Sequence, residues 1–314
     1  MVFDCRDDYV VHKLLTHWGM TDLDSVIVSH LDWDHIAAVK QLLERDEIST
    51  RHVYINVDRD IMDTHADANA AKALVDHVKA GDRRDWILVG AQVQARPIAE
   101  GQDWSIEILA PRQAQVVTRE RTGKWEDPNT LSVVLRVRMG SNVALIGGDA
   151  PLLTWSKIAE PKARVFRVPH HGGALSDGGI PPGWSAKRLY DEVQAETAVV
   201  SVGTTNQPKH PSADWVGPAC EHGKLMCTQV TPRCHPDVRD DVDNHRSDVI
   251  RKGALVEADW WHLEQRCGTG RTNRGVPCAG SVVVTMSSKQ LRVRPLPRKH
   301  GEVVDLWDHA LCKS

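Results

Sequence analysis

The chain of 314 residues contains no uninterrupted run of about eighteen apolar residues, so no segment of it reads as a membrane-spanning helix. Phenylalanine and tyrosine are scarce, with 2 and 3 residues, whereas tryptophan occurs 11 times. Charge of one sign is not in excess, because 39 basic and 42 acidic residues leave a net charge of −3. That balance argues against a strongly basic surface that coats nucleic acid, although it is compatible with a local basic groove. No secretory signal precedes the first apolar segment, and we therefore expect a cytoplasmic protein that does not enter a membrane.

Short Cys-x-x-Cys knuckles are also absent, although the chain has 7 cysteines. Without a secretory signal, disulfide bonds are not expected. A polar insertion at residues 232–277 has few apolar residues of its own, and four cysteines lie in it or beside it: Cys227, Cys234, Cys267 and Cys278. A structural zinc ion on these four would stabilise the insertion. Their C-x6-C and C-x10-C spacings are longer than those typical of zinc, however, and buried unpaired thiols are the alternative.

The densest group of metal-ligand residue types is the motif His30-Leu31-Asp32-Trp33-Asp34-His35, directly after the apolar residues 26–28. A strand that ends in H-x-D-x-D-H brings two imidazoles and two carboxylates into one turn. Divalent cations that accept nitrogen and oxygen ligands require such a set. The alternative is that an aspartate only caps a helix predicted at residues 36–45. Four residues that can bind a metal, within six positions, are more than a helix cap needs, so we favour a metal site.

Three further apolar segments are also followed by histidine or aspartate residues that can bind a metal. Residues 143–148 lead to Asp149, residues 165–169 lead to His170 and His171, and residues 198–202 lead to His210. Each segment reads as a strand, and residues 142–146 pair with 130–138 in a predicted hairpin. Four strand ends therefore carry candidate ligands, and this repetition argues more strongly than any one motif.

In this order the motifs resemble the metallo-β-lactamase superfamily, and more narrowly its ComEC-like metallohydrolase branch, to which phosphorylcholine esterases are also similar. In that branch an aspartate, as at Asp32, stands in place of the second histidine, and an asparagine turn, as at Asn129, precedes the strand that leads to Gly-Asp. The resemblance covers about residues 1–231 and 279–294. It implies an α/β fold, a four-layer αββα sandwich, in a single domain over residues 1–314 with a C-terminal insertion at 232–277.

Two features depart from the family pattern. Residues 36–38, Ile-Ala-Ala, stand where the family has Gly-Gly, so small side chains are largely kept. The segment at residues 1–5 resembles the third strand of the family's fold, and we expect that the first two N-terminal strands are missing. An uncovered sheet edge promotes association, so a homodimer or a partner protein is expected to cover it.

The resemblance also implies a division of roles among the candidate ligands. His30, Asp32 and His171 would hold one metal, and Asp34, His35 and His210 would hold the other, with Asp149 bridging two Zn²⁺ or Mn²⁺ ions. A water between the ions would lose a proton and attack the substrate.

His170, Asp34 and Asn129 are the candidate catalytic residues. His170 would stabilise the oxyanion or protonate the leaving oxygen, but the sequence leaves open which of His170 and His171 is the ligand. In an extended strand only one of these two neighbours would face the metal. Asn129 either contacts the substrate or shapes its turn.

The function that these features predict is a binuclear metal-dependent phosphodiesterase, acting on DNA or RNA as a nuclease. Basic residues at 233–246 and 266–274 would track a phosphate backbone, although solvated loops explain them equally well. One alternative is a hydrolase of a small lactam, lactone, thioester or phosphoester, which Asp32 disfavours. The other is a partner-dependent effector subunit, which the intact ligand set disfavours.

Overall fold

The computed structural model describes residues 1–55, 68–81, 85–88, 97–111, 128–174, 180–205, 210–254, 265–266, 272–273 and 275–312. The chain divides into two compact units. Unit 1 comprises Met1–Gln94, Ala110–Val133 and Glu264–Asn273, and unit 2 comprises Ala95–Leu109, Val134–Leu263 and Arg274–Ser314. The predicted single domain and the limits of the insertion at 232–277 stay predictions.

The strands, in chain order, are β1 (Val2–Phe3), β2 (Asp22–Ile27), β3 (Ser49–Ile55), β4 (Asp85–Leu88), β5 (Ala99–Glu100), β6 (Trp104–Ala110), β7 (Val134–Met139), β8 (Asn142–Gly147), β9 (Val165–Arg167), β10 (Thr197–Val200), β11 (Lys224–Cys227), β12 (Gln265–Arg266), β13 (Thr272–Asn273), β14 (Val282–Met286) and β15 (Leu291–Pro295). The helices are α1 (Asp8–His17), α2 (Trp33–Ile36), α3 (Val39–Leu43), α4 (Ala68–Ala80), α5 (Leu152–Trp155), α6 (Ala186–Val193), α7 (Ala213–His222), α8 (Val242–Lys252) and α9 (His300–Val304). Short 3₁₀ turns occur at Pro128–Leu131, Pro169–Gly172 and Pro236–Arg239.

The main sheet of unit 1 is parallel and has the order β1-β2-β3-β4 over the described residues. Parallel strands are covered on both faces, so they read as continuous apolar runs, as Val26 and Val28 do in and just after β2. The alanine-rich residues 61–80 have apolar positions at helical spacing, which predicts a helix. Helix α4 confirms this prediction from Ala68 onward, since residues 61–67 lie outside the described part of the chain.

The helix predicted at residues 36–45 is interrupted. The backbone N–H of Ala38 donates to the carbonyl of Cys5 at 3.0 Å, and the carbonyl of His35 accepts from the N–H of Cys5 at 3.0 Å. These bonds to a remote segment replace helical bonds, so α2 ends at Ile36 and α3 begins at Val39. The apolar spacing was informative, because Ile36, Val39, Leu42 and Leu43 are all buried.

The main sheet of unit 2 has the order β11-β10-β9-β8-β7-β6-β5 over the described residues. Strands β8 to β11 run parallel, so their carboxyl ends meet at one edge of the sheet. The hairpin of β7 and β8 confirms the predicted pairing, except that residues 130–133 lie outside strand β7. Edge-to-face contacts join Phe166 to Trp155 and Tyr190, at 5.3 and 5.6 Å between ring centroids, and form part of the core beneath the sheet.

Unit 1 combines a parallel sheet with helices and unit 2 combines a mixed sheet with helices, so the α/β class predicted from the sequence is confirmed. Residues 89–97 also read as a strand in the sequence, but they lie almost wholly outside the described residues. None of the helices that the structure describes has the length and apolar character required to cross a membrane.

Candidate metal-binding site

The loop after β2 holds the first group of candidate ligands, all in unit 1. His30 and His35 are each only 2 % exposed, and their ring centroids lie 4.1 Å apart. Asp32 occupies the N-cap position of α2, but its side chain makes no capping hydrogen bond. The capping alternative therefore does not explain Asp32.

Carboxylates lie beside the Nε2 atom of each buried imidazole. Asp32 Oδ2 is 3.4 Å from His30 Nε2, and Asp34 Oδ2 is 3.8 Å from His35 Nε2. Asp34 is exposed at its side chain, whereas the two histidines are buried. The loop thus directs mixed nitrogen and oxygen donors toward its open side, which is the donor set that Zn²⁺ and Mn²⁺ accept.

A hydrogen-bonded chain behind the histidines sets their tautomers. Asp4 Oδ2 accepts from His35 Nδ1 at 2.7 Å and from Ser29 Oγ at 2.8 Å. Because the Ser29 hydroxyl gives its proton to Asp4, its oxygen accepts from His30 Nδ1 at 2.9 Å. Both imidazoles then carry the proton on Nδ1 and the lone pair on Nε2, as a neutral histidine ligand requires.

Asp4 has a second anchor, since its Oδ1 accepts the backbone N–H of Ser29 at 2.7 Å. Burial raises the pKa of this carboxyl, but the electrostatic interaction with the His35 ring and the hydrogen bonds from His35 and Ser29 outweigh burial and lower the pKa below its usual value. Asp4 therefore stays ionised and orients His35. Asp4, directly after β1, thus accepts the backbone N–H of Ser29, just after β2, and a hydrogen bond from the ring of His35.

Asn129 lies in the 3₁₀ turn at Pro128–Leu131, next to the histidine loop of unit 1. The backbone N–H of Val133 donates to the carbonyl of Ser29 at 3.0 Å, and Ser132 Oγ lies 3.5 Å from His30 Nδ1. The turn is thereby joined to the segment that carries His30. Asn129 itself is buried, and its contact with substrate stays a prediction.

The second group of candidate ligands lies in unit 2, where β8, β9 and β10 end side by side. Asp149 follows β8 and is only 5 % exposed at its side chain. Its Oδ2 atom lies 3.1 Å from His170 Nδ1 and 3.9 Å from His171 Nε2. The rings of His170 and His210 lie 5.8 Å apart, so four predicted residues come together here.

The two adjacent histidines do not lie in an extended strand, so strand alternation does not govern them, and which of them faces a metal stays a prediction. Both occupy the left-handed region, each with φ 51°, inside the 3₁₀ turn after β9. This turn directs both side chains toward Asp149, because two successive left-handed residues reverse the chain. At Gly172, φ is 71° and a Cβ atom would lie 2.6 Å from Pro211 Cβ, so glycine is required there.

His171 is oriented by the backbone, since its Nδ1 donates to the carbonyl of Ser201 at 2.7 Å. Its Nε2 then carries the lone pair and is the atom that faces Asp149. A ligating histidine commonly has its other nitrogen bonded to a carbonyl or carboxylate in this way. His170, by contrast, uses its Nδ1 for Asp149 itself. The geometry favours His171 as the ligand, and the assignment stays a prediction.

The structure thus places the predicted residues in two groups, one in each unit. Sequence reasoning missed Ser29, Ser132 and the carbonyl of Ser201, because small hydroxyl residues and backbone carbonyls carry no motif of their own. It also passed over Trp33, which is 41 % exposed inside the ligand motif. Among the predicted zinc cysteines, Cys267 lies outside the described residues.

In both units the candidate ligands thus lie in loops that follow strands, and the chain has similarity to known proteins. No protein-family model matches the chain. ComE operon protein 3 of Bacillus subtilis (strain 168) is 23 % identical over 209 residues, which cover 64 % of this chain but only 23 % of that protein. The chain therefore spans less than a quarter of the length of this relative.

Two solved structures are also similar to the chain. The metallo-β-lactamase fold protein YhfI from Bacillus subtilis is 17 % identical with a TM-score of 0.40, over 72 % of this chain and 82 % of its own. A variant of the CmlA β-hydroxylase is 11 % identical with a TM-score of 0.36, over 66 % and 43 %. These scores are too low for any argument about function. The match to ComE operon protein 3 agrees with the resemblance to the ComEC-like branch that the motifs predict.

Proposed function

We propose that this chain hydrolyses phosphodiesters, as a nuclease of DNA or RNA, with two divalent cations, Zn²⁺ or Mn²⁺, as cofactors. The observation that carries the proposal is the buried pair His30 and His35. Each imidazole is held through Nδ1 and has a carboxylate beside its Nε2. A fold gains nothing from two buried, preset histidines next to carboxylates, whereas a metal site requires them.

Metal chemistry fits this set of residues. His30, His35 and His171 offer Nε2 lone pairs, because their Nδ1 atoms donate to Ser29, Asp4 and Ser201. Asp32, Asp34 and Asp149 add the oxygen donors that offset the charge of two cations. Bound there, the cations would supply a nucleophilic water near neutral pH and would stabilise charge on a phosphodiester.

His170 is the group best placed to move a proton. Its Nδ1 lies 3.1 Å from Asp149 Oδ2, which holds the ring and stabilises an imidazolium. Its side chain is 30 % exposed, whereas that of Asp149 is buried, so Nε2 is the atom that a substrate can reach. We assign to His170 Nε2 the proton that the leaving oxygen takes as the phosphodiester bond breaks.

Asp32 and Trp33 favour a nucleic acid over a small lactam or thioester. The carboxylate of Asp32 makes the first ligand group harder than a three-histidine set, which suits Mn²⁺ and phosphate oxygens. Trp33 presents an aromatic face on which an unpaired base can stack. Of the three arginines in residues 233–246, only Arg233 is exposed, since Arg246 is buried and Arg239 donates to the carbonyl of Thr204 at 3.3 Å. Most of the basic segment at 266–274 lies outside the described residues, so a role of either segment along a phosphate backbone stays a prediction.

The decisive experiment is cleavage of labelled single-stranded and double-stranded DNA and RNA in the presence of Mn²⁺. We expect metal-dependent cleavage that Asp149→Ala abolishes, together with a lower metal content. The matched control is Asp248→Ala, an exposed carboxylate in α8 that pairs with Arg251 and should leave cleavage unchanged. Cleavage of none of the four polymers, with metal still bound, would reject the nuclease and favour a small ester or an effector that requires a partner chain.

A further inference from the structure

A second cluster of metal-ligand side chains lies in unit 2, and the proposed function does not use it. Cys278 Sγ lies 3.6 Å from Cys312 Sγ and 3.6 Å from His300 Nε2. The three ligand atoms all lie within 4.8 Å of one another. Cys278 and Cys312 are buried, and His300 is the first residue of α9.

The spacing of these atoms matches a tetrahedral zinc site. Zn–S bonds of about 2.3 Å and Zn–N bonds of about 2.0 Å place neighbouring ligand atoms roughly 3.3–3.8 Å apart around the ion. A disulfide would instead bring the two sulfurs to about 2.05 Å. Cys278 Sγ lies 3.6 Å from each of the other two ligand atoms, which is within this range, and Cys312 Sγ and His300 Nε2 lie within 4.8 Å of each other. The three atoms therefore suit three corners of such a tetrahedron.

Cys227, the last residue of β11, is the candidate for the fourth corner. It is fully buried, and its backbone N–H donates to Cys312 Sγ at 3.3 Å. Backbone N–H groups that donate to a ligand sulfur are the outer-shell support that metal sites use.

We propose that Cys227, Cys278, His300 and Cys312 bind one structural Zn²⁺ ion. The ion would join the end of β11 to the segment before β14, to α9 and to the residues after α9. Burial of three thiols around one point contributes little without a metal, whereas closing loops of this length on a zinc ion stabilises them strongly. The site is independent of the proposed hydrolase activity.

This set shares Cys227 and Cys278 with the one suggested by the sequence and replaces the other two ligands. Cys234 is buried near the cluster, where its sulfur lies 3.8 Å from Thr231 Oγ1. It is the competing candidate for the fourth position. His300 and Cys312 lie beyond the insertion, so no spacing rule based on neighbouring cysteines could select them.

Cobalt substitution tests the proposal with a readout that the histidine and aspartate ligands cannot produce. Thiolate ligands give Co²⁺ an intense charge-transfer absorption in the near ultraviolet, and tetrahedral geometry gives strong visible bands. We expect one such cobalt per chain in the full-length protein, and we expect Asp149→Ala to retain it. A protein that binds cobalt without the thiolate band, or that contains no zinc as purified, would overturn the proposal.

Variants assign the ligands. Cys312→Ser should lose the thiolate band and most of the zinc, whereas the matched control Cys220→Ser should keep both, since Cys220 is exposed. Cys227→Ser should also lose zinc and Cys234→Ser should retain it, and the opposite result would refute Cys227 as the fourth ligand. If Cys312→Ser fails to fold, the cobalt spectrum of the unmodified chain still decides whether the site exists.

Discussion

Asp4 Oδ2 accepts a hydrogen bond of 2.7 Å from His35 Nδ1, across 31 positions of the chain. The contact sets both the protonated nitrogen and the orientation of a buried imidazole. Ser29 extends the same chain to His30, so one carboxylate at the end of β1 presets two candidate ligands. Predictions about metal binding therefore begin with a residue that does not itself face the metal.

Asp4→Asn should weaken metal binding by roughly 10- to 100-fold, because the amide removes the charge and one acceptor from the bonds to His35 and Ser29. Titration of the metal-free protein with Mn²⁺ measures the change. Asp7→Asn is the matched control, since Asp7 caps α1 through the N–H of Val10 and asparagine caps equally well. If the two variants bound Mn²⁺ with equal affinity, Asp4 would have no role in metal binding.

The lowered pKa of Asp4 gives the metal-free protein an acid-dependent stability. A carboxyl whose folded pKa lies below its usual value near 3.8 stabilises the fold at neutral pH, and this contribution disappears as pH falls through the lowered value. The free energy of unfolding of the native chain should therefore approach that of Asp4→Asn at acidic pH. Chemical denaturation at several pH values measures both. If the difference in free energy of unfolding between the native chain and Asp4→Asn stayed constant down to the pH of acid unfolding, the stabilising role of ionised Asp4 would be contradicted.

His170 and His171 should separate in their effects, although they are neighbours in one turn. His171→Ala should lower the metal content, because its backbone-oriented Nε2 is assigned as a ligand. His170→Ala should keep the metal and lower kcat by roughly 10²- to 10⁴-fold, as expected for the loss of a proton donor. Elemental analysis and steady-state kinetics on the same preparations give both quantities. The reverse pattern would exchange the two roles.

Trp33→Ala should raise KM for a single-stranded substrate, since stacking one base on an aromatic ring contributes about 1–3 kcal/mol. Metal content should not change, because the indole is not a ligand. Trp18→Ala is the control, as Trp18 is also exposed in unit 1 but lies at the end of α1. An equal rise in KM for both variants, or for neither, would exclude base stacking on Trp33.

Gly173→Ala should disturb the histidine turn. A Cβ atom there would lie 2.2 Å from His170 Cδ2 and 2.9 Å from the carbonyl oxygen of the same residue, so His170 must move. We expect a loss of about 1–3 kcal/mol in stability and a fall in kcat.

Gly217→Ala is the matched control for Gly173→Ala. A Cβ atom at Gly217, in α7, would have no atom within 4 Å. Replacing a glycine by alanine within a helix raises the free energy of unfolding by up to about 1 kcal/mol. Thermal unfolding compares the two variants, and similar melting temperatures would mean that the turn accommodates a side chain at Gly173.

Much of the candidate site was predictable because its signals are local. An apolar run followed at once by ligand types marks a strand end, and the runs before His30, Asp149 and His170 are all strands or lead directly out of one. The break between α2 and α3 was not predictable, because it depends on hydrogen bonds that His35 and Ala38 form with Cys5, which lies at least 30 positions earlier in the chain. The proposed zinc ligands were not predictable either, because Cys312 and Cys278 are 34 positions apart and only the folded chain through α9 brings their sulfurs together.

The sequence by itself determined the α/β class, the order of the ligand-bearing strand ends and the residue types at each of them, because these depend on short apolar periods and adjacent polar residues. Tertiary structure alone decided which imidazole nitrogen carries the proton and placed both His170 and His171 beside Asp149. Those properties depend on hydrogen-bond partners such as Asp4 and the carbonyl of Ser201, which packing brings from remote parts of the chain. Two successive left-handed histidines could not be read from their residue types, since only the surrounding turn stabilises that conformation.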